Sequence, residues 1–200
     1  DLDTVKETVR SFQPDIFVHP AALTRPMVLH TENPDLSIST NIIGTSNVVL
    51  ACMESNVKLV YISTDYVYPG TDGNYKEEDP LLPVNLYAWS KLGGECAVRL
   101  YENSLILRAS MTQKPFVHTK ALVDSKKSLL YIEEAVGLSL RLFHEFGIIN
   151  LGGDPTTSYD FVRKNEGLEL GKIYRKDLDE PMAKDSTMNL DKLNGILYEH

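Results

Sequence analysis

Two side chains one helical turn apart could carry acid-base chemistry. Tyr87 and Lys91 stand at positions i and i+4 of a segment with helical periodicity, so both leave the same face of that helix. A free tyrosine has a pKa of about 10 and is a poor proton donor, but a neighbouring ammonium group lowers that value by stabilising the phenolate. A hydroxyl from Thr64, at the end of the preceding strand, could orient the oxygen that Tyr87 protonates. This is the chemistry of carbonyl reduction.

The pair alone is weak evidence, because an ordinary solvated helix face would present the same two residues. The position of the pair favours a catalytic role, since the pair lies at a helix start and follows a strand that ends at Ser63 and Thr64. Gly93 and Gly94 lie inside the same helix, where each should cost about 1 kcal/mol relative to alanine. Either a neighbouring helix or a cofactor approaches closely at that point, or the helix is simply weak; both alternatives stay open.

The elements that would position these residues alternate between strands and helices. Short apolar runs bounded by turn formers predict strands, and apolar residues at helical spacing predict helices between them. The predicted order is strand 16–18, helix 34–55, strand 58–63, helix 86–103 and strand 104–108. That order is typical of a right-handed parallel βαβ sheet, whose ligands bind at the carboxyl ends of the strands. Those ends carry three polar groups, at 19–22, at 63–66 and at 108–110.

The pattern weakens after Arg108. A polar stretch runs to Lys127, followed by a helix at 133–145, a strand at 148–151 and a loop that leads into another helix. The tail from Gly167 is rich in charge and poor in large apolar residues, which predicts a small, exposed C-terminal lobe. We therefore expect one domain over 1–110 and a mixed region over 111–200.

Composition narrows the classes of ligand and partner. A net charge of −8 argues against a nucleic-acid partner, since binding to phosphates needs a surplus of Lys and Arg. The two cysteines and five histidines lack metal-ligand spacing, so no metal site is expected and His19 is interpreted as a strand-end residue near a cofactor. No apolar run approaches the roughly 20 residues of a membrane span. We expect a cytoplasmic protein that binds a small molecule and no membrane.

The motifs resemble those of the extended short-chain dehydrogenase/reductases, and within them the dTDP-4-dehydrorhamnose reductases. Ser-Thr-Asp-Tyr-Val-Tyr-Pro-Gly at 63–70 is similar to the family's strand end, and it is followed by an acidic-proline stretch at 77–80. Pro83, Asn85, Tyr87 and Lys91 match its P-x-N-x-Y-x-x-x-K segment. The resemblance is strong for 14–109 and looser beyond. It implies an α/β fold with a Rossmann-like, doubly wound parallel sheet and a small C-terminal substrate lobe.

The resemblance also implies roles for individual residues. Thr64, Tyr87 and Lys91 would form the catalytic set, and Thr64, Asp65 and Tyr66 would contact the substrate. The cofactor, NADP or NAD, would be bound by a larger set: Asp1, Leu2, Ala21, Ala22, Leu23, Thr24, Ser63, Tyr87 and Lys91.

Two features depart from the family pattern. Its opening strand and G-x-x-G-x-x-G phosphate turn have no counterpart here, so we expect the N-terminal strands of the sheet to be missing from this chain, together with the residue that selects NAD or NADP. After Arg108 the family continues with Ser-Trp and Tyr-Gly, whereas here Ser110 is followed by Met111. The second departure leaves the identity of the sugar open.

The resemblance implies NAD(P)H-dependent reduction of a 4-keto-6-deoxy sugar nucleotide, with Tyr87 as the proton donor. Two alternatives remain. One is an epimerase or dehydratase of the same family, which would use an acidic residue beside Thr64, and Asp65 occupies that position. The other is a non-catalytic, NADP-binding regulatory subunit like that of methionine adenosyltransferase. The expected partner is a nucleotide sugar, and a homodimer is left open.

Overall fold

The computed structural model describes residues 1–198, which fold as alternating helices and strands. The helices are α1 (Leu2–Phe12), α2 (Leu29–Glu32), α3 (Pro34–Ser37), α4 (Thr45–Ser55), α5 (Leu86–Val98), α6 (Ile132–Leu142), α7 (Ser158–Glu166) and α8 (Asp191–Tyr198). The strands are β1 (Ile16–His19), β2 (Lys58–Thr64), β3 (Ser104–Ala109), β4 (Met111–Thr112), β5 (Lys120–Leu122), β6 (Lys126–Lys127), β7 (Leu130–Tyr131), β8 (Gly147–Leu151), β9 (Thr156–Thr157) and β10 (Gly171–Ile173).

The described chain divides into two compact units. The first contains Asp1–Thr64, Leu86–Leu107 and Phe143–Ile149. The second contains Asp65–Asn85, Arg108–Leu142 and the described residues from Asn150 onward.

The first unit is built on a sheet whose strand order, among residues 1–198, is β1-β2-β3-β8. Strands β1 and β2 are parallel, with Ile16 opposite Lys58 and His19 opposite Tyr61. Strand β2 is buried along almost its whole length, as expected for a strand covered on both faces. Helices α1 and α4 pack against each other beside it and close an apolar core around Val49, Cys52 and Leu59. The predicted parallel α/β sheet is therefore confirmed.

The helix predicted over 34–55 is helical throughout but not uniform. Pro34 stands in its first turn as predicted, and a π-helical stretch, Ile38–Gly44, separates α3 from α4. A π turn widens the helix by one residue and is frequent at functional sites. Asn41 is the buried residue of this stretch. The helix predicted over 86–103 ends at Val98, where a turn carries the chain into β3.

This long helical segment, Pro34–Ser55, has the length and composition of a membrane span. The sequence-based prediction that no apolar run approaches the length of a membrane span is therefore wrong for Pro34–Ser55. The segment is nevertheless a helix of the first unit's core, since Val48, Val49 and Cys52 are buried and α4 lies against α1, α5 and β2. The core helices of soluble proteins can have the same length and apolar composition, so the segment is weak evidence for a membrane.

The second unit contains short strand pairs that the sequence pattern does not reveal. Strands β5 and β10 are parallel, β4 and β7 are parallel, and β6 and β9 are antiparallel. Strands of two or three residues are too short to show a period of two. The tail after Gly167, predicted to be exposed, is partly buried, because Lys184 and Asp185 donate backbone hydrogen bonds to Gly70 and Met188 is 3% exposed.

Candidate active site

The carboxyl end of β2 presents two buried hydroxyls in the first unit. Ser63 and Thr64 are the last residues of this strand, and both are buried. The sequence predicts a catalytic role for Thr64 and a cofactor contact for Ser63. Their position at the end of a parallel strand is where an α/β sheet binds its ligands.

Helix α5 places Tyr87, Lys91 and Glu95 on successive turns of one face. Tyr87 is half-buried, Lys91 is 2% exposed and Glu95 is fully buried. The Tyr87 ring meets the edge of the His30 imidazole, with the ring centroids 5.4 Å apart. The face thus becomes more buried from its tyrosine towards its glutamate, and only the tyrosine end reaches the surface.

The Lys91 ammonium lies over an aromatic ring. Its Nζ is 4.2 Å from the centroid of the Tyr61 ring, and the Tyr61 hydroxyl donates a hydrogen bond to the Lys91 carbonyl. Burial lowers the pKa of Lys91 to about 7, against the opposing effect of the Glu95 carboxylate. Burial also raises the pKa of Tyr61, so this phenol stays neutral. Lys91 is therefore poised to change charge near neutral pH.

Glu95 connects the helix to the strand end. The Ser63 hydroxyl donates a 2.7 Å hydrogen bond to Glu95 Oε2. The sequence-based prediction missed Glu95, although it continues the Tyr87 and Lys91 spacing by a further four residues. A glutamate on an otherwise buried helix face was the signal that could have identified it.

A buried histidine, His19, stands at the end of β1. Its Nε2 lies 3.1 Å from Thr45 Oγ1, and its ring lies 5.7 Å from that of Tyr61. Burial, and secondarily the charge on Lys91, lowers the pKa of His19 to about 4. His19 is therefore neutral at physiological pH and packs beside the lysine without repelling it.

Asn41 is hydrogen-bonded to the loop that follows β1. The sequence predicts that this loop contacts the cofactor. Its side-chain oxygen accepts from the Leu23 amide at 2.7 Å, and its Nδ2 donates to the Leu23 carbonyl at 2.9 Å and to Ser90 Oγ at 2.7 Å. Around this clamp, Ala21 and Thr24 are exposed and Ala22 is half-buried. The loop is thus held at its middle while its flanks stay accessible.

The remaining predicted cofactor residues lie at the start of the described chain. Asp1 is the N-cap of α1, and its side chain accepts a hydrogen bond from the Thr4 amide. Leu2 is the first residue of that helix. Their contact with the cofactor stays a prediction.

Asp65 and Tyr66, predicted to contact substrate, belong to the second unit. Asp65 is 2% exposed, accepts a 2.7 Å hydrogen bond from Ser186 Oγ and lies 3.7 Å from Lys127 Nζ. The Tyr66 hydroxyl donates to Met182 Sδ, and Lys127 lies over the Tyr66 ring at 3.6 Å. Both side chains therefore have structural partners within their own unit.

The sequence is similar to two kinds of curated protein. It is 40% identical over 105 residues to methionine adenosyltransferase 2 subunit beta of Pongo abelii, an alignment covering 52% of this chain and 30% of that protein. It is 38% identical over 96 residues to dTDP-4-dehydrorhamnose reductase of Salmonella typhimurium, covering 48% of this chain and 32% of that enzyme. The aligned part of the chain thus spans about a third of either relative.

The fold is that of a solved reductase. The structure of dTDP-4-dehydrorhamnose reductase from Bacillus anthracis in complex with NADP superposes with a TM-score of 0.83 at 24% identity, covering 97% of this chain and 77% of that one. The likeness confirms the predicted Rossmann-like α/β fold. A sequence family described as the RmlD substrate binding domain matches residues 1–124, more than half of the chain. The chain therefore belongs to the RmlD substrate binding domain family, and the predicted resemblance to sugar-nucleotide reductases is confirmed.

Proposed function

We propose that this chain carries the proton-transfer part of an NAD(P)H-dependent reductase that acts on a 4-keto-6-deoxy sugar nucleotide. The observation that carries the proposal is the face of α5 on which Tyr87, Lys91 and Glu95 follow one another, tied to the end of β2 by Ser63. The similarity to dTDP-4-dehydrorhamnose reductase supports the same reaction.

In the proposed reaction Tyr87 donates its phenolic proton to the carbonyl oxygen of the sugar, and Thr64 orients that oxygen by a hydrogen bond. A buried ammonium stabilises a phenolate more than a solvated one does, because the interior screens charges less than water. Lys91 would supply that ammonium from one turn away. Burial lowers the pKa of Lys91 to about 7. Lys91 is therefore mostly charged below pH 7, and in that range it assists Tyr87 as the proton donor.

The first unit also has residues that fit the nicotinamide end of a dinucleotide. The loop after β1 is immobilised through the Leu23 backbone, with accessible flanks at Ala21, Ala22 and Thr24. Ser63, Tyr87 and Lys91 would complete the contact. When bound, NADPH or NADH supplies the hydride, and this chain's residues hold and move the proton.

Asp65 is the acid that the epimerase or dehydratase alternative would use, and its carboxylate is already engaged by other side chains. An acid that works on substrate must be able to reach it. The Asp65 carboxylate is instead buried among Ser186 and Lys127. Elimination or epimerisation through Asp65 would have to break these contacts, so reduction through Tyr87 is the simpler proposal, and the substrate contact of Asp65 stays a prediction.

A second candidate is a regulatory subunit, favoured by the 40% identity to methionine adenosyltransferase 2 subunit beta. The two candidates differ in a direct assay of the full-length protein. Oxidation of NADPH or NADH would be followed with dTDP-4-dehydrorhamnose, and complex formation with the catalytic subunit of methionine adenosyltransferase would be followed by sedimentation. Turnover supports the reductase. Stoichiometric complex formation without turnover would replace it with the regulatory subunit.

A further inference from the structure

We propose that Glu95 is a positioning residue whose carboxylate favours the charged form of Lys91. The proposal deepens the proposed function, because it names the group that controls the ionisation of the lysine beside the proton donor. Glu95 lies one helical turn beyond Lys91 on the same face of α5, and its side chain is fully buried. Side chains four residues apart on a helix are neighbours, so a carboxylate at this position favours the ammonium form of Lys91.

Lys91 needs such a partner because its surroundings oppose charge. The side chain is 2% exposed, and its ammonium faces the Tyr61 ring at 4.2 Å. Among the described residues, Tyr61 faces the ammonium, Tyr87 and Glu95 flank Lys91 on the same face of α5, and His19 is near enough for the Lys91 charge to lower its pKa. The pKa of His19 is lowered to about 4 and that of Tyr61 is raised, so both are neutral near pH 7. Glu95 is the carboxylate of this group, and its charge raises the pKa of Lys91 against the effect of burial.

Ser63 fixes the carboxylate in place. Its hydroxyl donates to Glu95 Oε2 at 2.7 Å from the end of β2, next to Thr64. The charge that acts on Lys91 is therefore held by the strand end that carries the predicted catalytic hydroxyl. This arrangement couples the geometry of the strand end to the protonation of the lysine.

The test is a pH titration of Lys91 in the full-length protein, followed by NMR of lysine labelled with 13C at Cε and assigned by its loss in Lys91→Met. In Glu95→Gln the amide can still accept from Ser63, but the charge is gone. We expect the Lys91 midpoint to fall by about one pH unit or more. Glu102→Gln, which removes an exposed carboxylate just beyond the same helix, should leave the midpoint unchanged. An unchanged midpoint in Glu95→Gln would overturn the proposal.

A measurement on the wild type covers the case in which Glu95→Gln does not fold. The 13Cδ signal of Glu95 should show an inflection at the Lys91 midpoint, because each charge senses the other. No inflection would also overturn the proposal. Neither NMR measurement needs turnover, so a moving midpoint in a protein without reductase activity would reject the proposed function and leave the role of Glu95 standing.

Activity supplies a further readout that a purely structural role would not move. If the reductase turns over, kcat/KM should fall as pH rises through the Lys91 midpoint. In Glu95→Gln the fall should begin at a lower pH than in the wild type. A uniform loss at every pH would indicate a structural role and contradict the proposal.

Discussion

At the scale of single residues, burial decides which groups can ionise. His19 is buried at the end of β1 and hydrogen-bonded to Thr45, and its pKa is lowered from 6.5 to about 4. The unfolded chain takes up a proton at this histidine near pH 6.5, whereas the folded protein resists until about pH 4. The contribution of His19 to folding stability is therefore fully present above pH 6.5 and is lost as the pH falls from there to about 4.

The predicted loss at His19 amounts to about 3 kcal/mol between these limits. His19→Gln, whose amide can still pair with Thr45, should lack this component. Urea unfolding at pH 7 and pH 4 should thus show a smaller decrease for the variant than for the wild type. Equal decreases in the two proteins would mean that His19 is protonated in the folded state as easily as in the unfolded chain.

Arg108 is a buried charged residue of the second unit. It is fully buried and donates to the Tyr68 hydroxyl at 2.8 Å and to the Glu77 carbonyl at 2.9 Å. Arg108→Leu should lower the free energy of unfolding by about 3 kcal/mol, because both acceptors lose a buried partner.

Arg163 provides the matched control for Arg108. Its side chain is 60% exposed and lies 3.4 Å from Glu169. Arg163→Leu should change the free energy of unfolding by less than about 0.5 kcal/mol. Similar effects of the two substitutions in thermal denaturation would contradict the assignment of Arg108 as a buried anchor.

At the scale of elements, the contact between α5 and the π-helical stretch explains the glycine pair. A Cβ at Gly93 would lie 2.8 Å from Ile42 side-chain atoms, and one at Gly94 would lie 2.6 Å from the Asn41 carbonyl oxygen. Of the two alternatives left open by the sequence, close approach of a neighbouring helix is therefore the one observed. The close approach also brings Asn41 within reach of Ser90.

Gly94→Ala should destabilise the protein by about 1 to 3 kcal/mol, since the obstructing atoms include backbone that cannot move cheaply. Gly137→Ala in α6 is the control, because among residues 1–198 a Cβ at Gly137 would meet nothing within 4 Å beyond its chain neighbours and its own helix backbone, and alanine is the better helix former. Gly137→Ala should stabilise by up to about 1 kcal/mol. Thermal melting of both variants checks these two predictions. An unchanged melting temperature in Gly94→Ala would show that α5 and the π-helical stretch can move apart to accommodate the methyl group.

The elements and the catalytic face were predictable from the sequence to different degrees. Tyr87 and Lys91 were found because helical spacing is visible in one dimension, and Thr64 because the apolar run of β2 marks its strand end. The hydrogen bonds between Asn41 and Leu23 could not be predicted from the sequence, since they join residues 18 positions apart across a loop and depend on the π turn. Local periodicity contains no information about such contacts.

At the scale of the whole molecule, the fold of the second unit explains why part of the tail is buried. Its composition suggested exposure, yet its backbone pairs with the segment after β2, through Tyr75 with Thr187 and Asn189. Long-range pairing of this kind overrides composition, because each backbone bond removes polar groups from water irrespective of the side chains. The α/β class was predictable because it depends on the order of elements alone.

The central claim is that Tyr87 is the proton donor of a reductase. The most direct measurement is steady-state oxidation of NADPH or NADH by the full-length protein with dTDP-4-dehydrorhamnose, comparing wild type with Tyr87→Phe and with Tyr174→Phe at an exposed site. We predict that Tyr87→Phe lowers kcat by at least about 100-fold while Tyr174→Phe leaves it unchanged. An active wild type whose Tyr87→Phe variant keeps kcat within about threefold would contradict the claim.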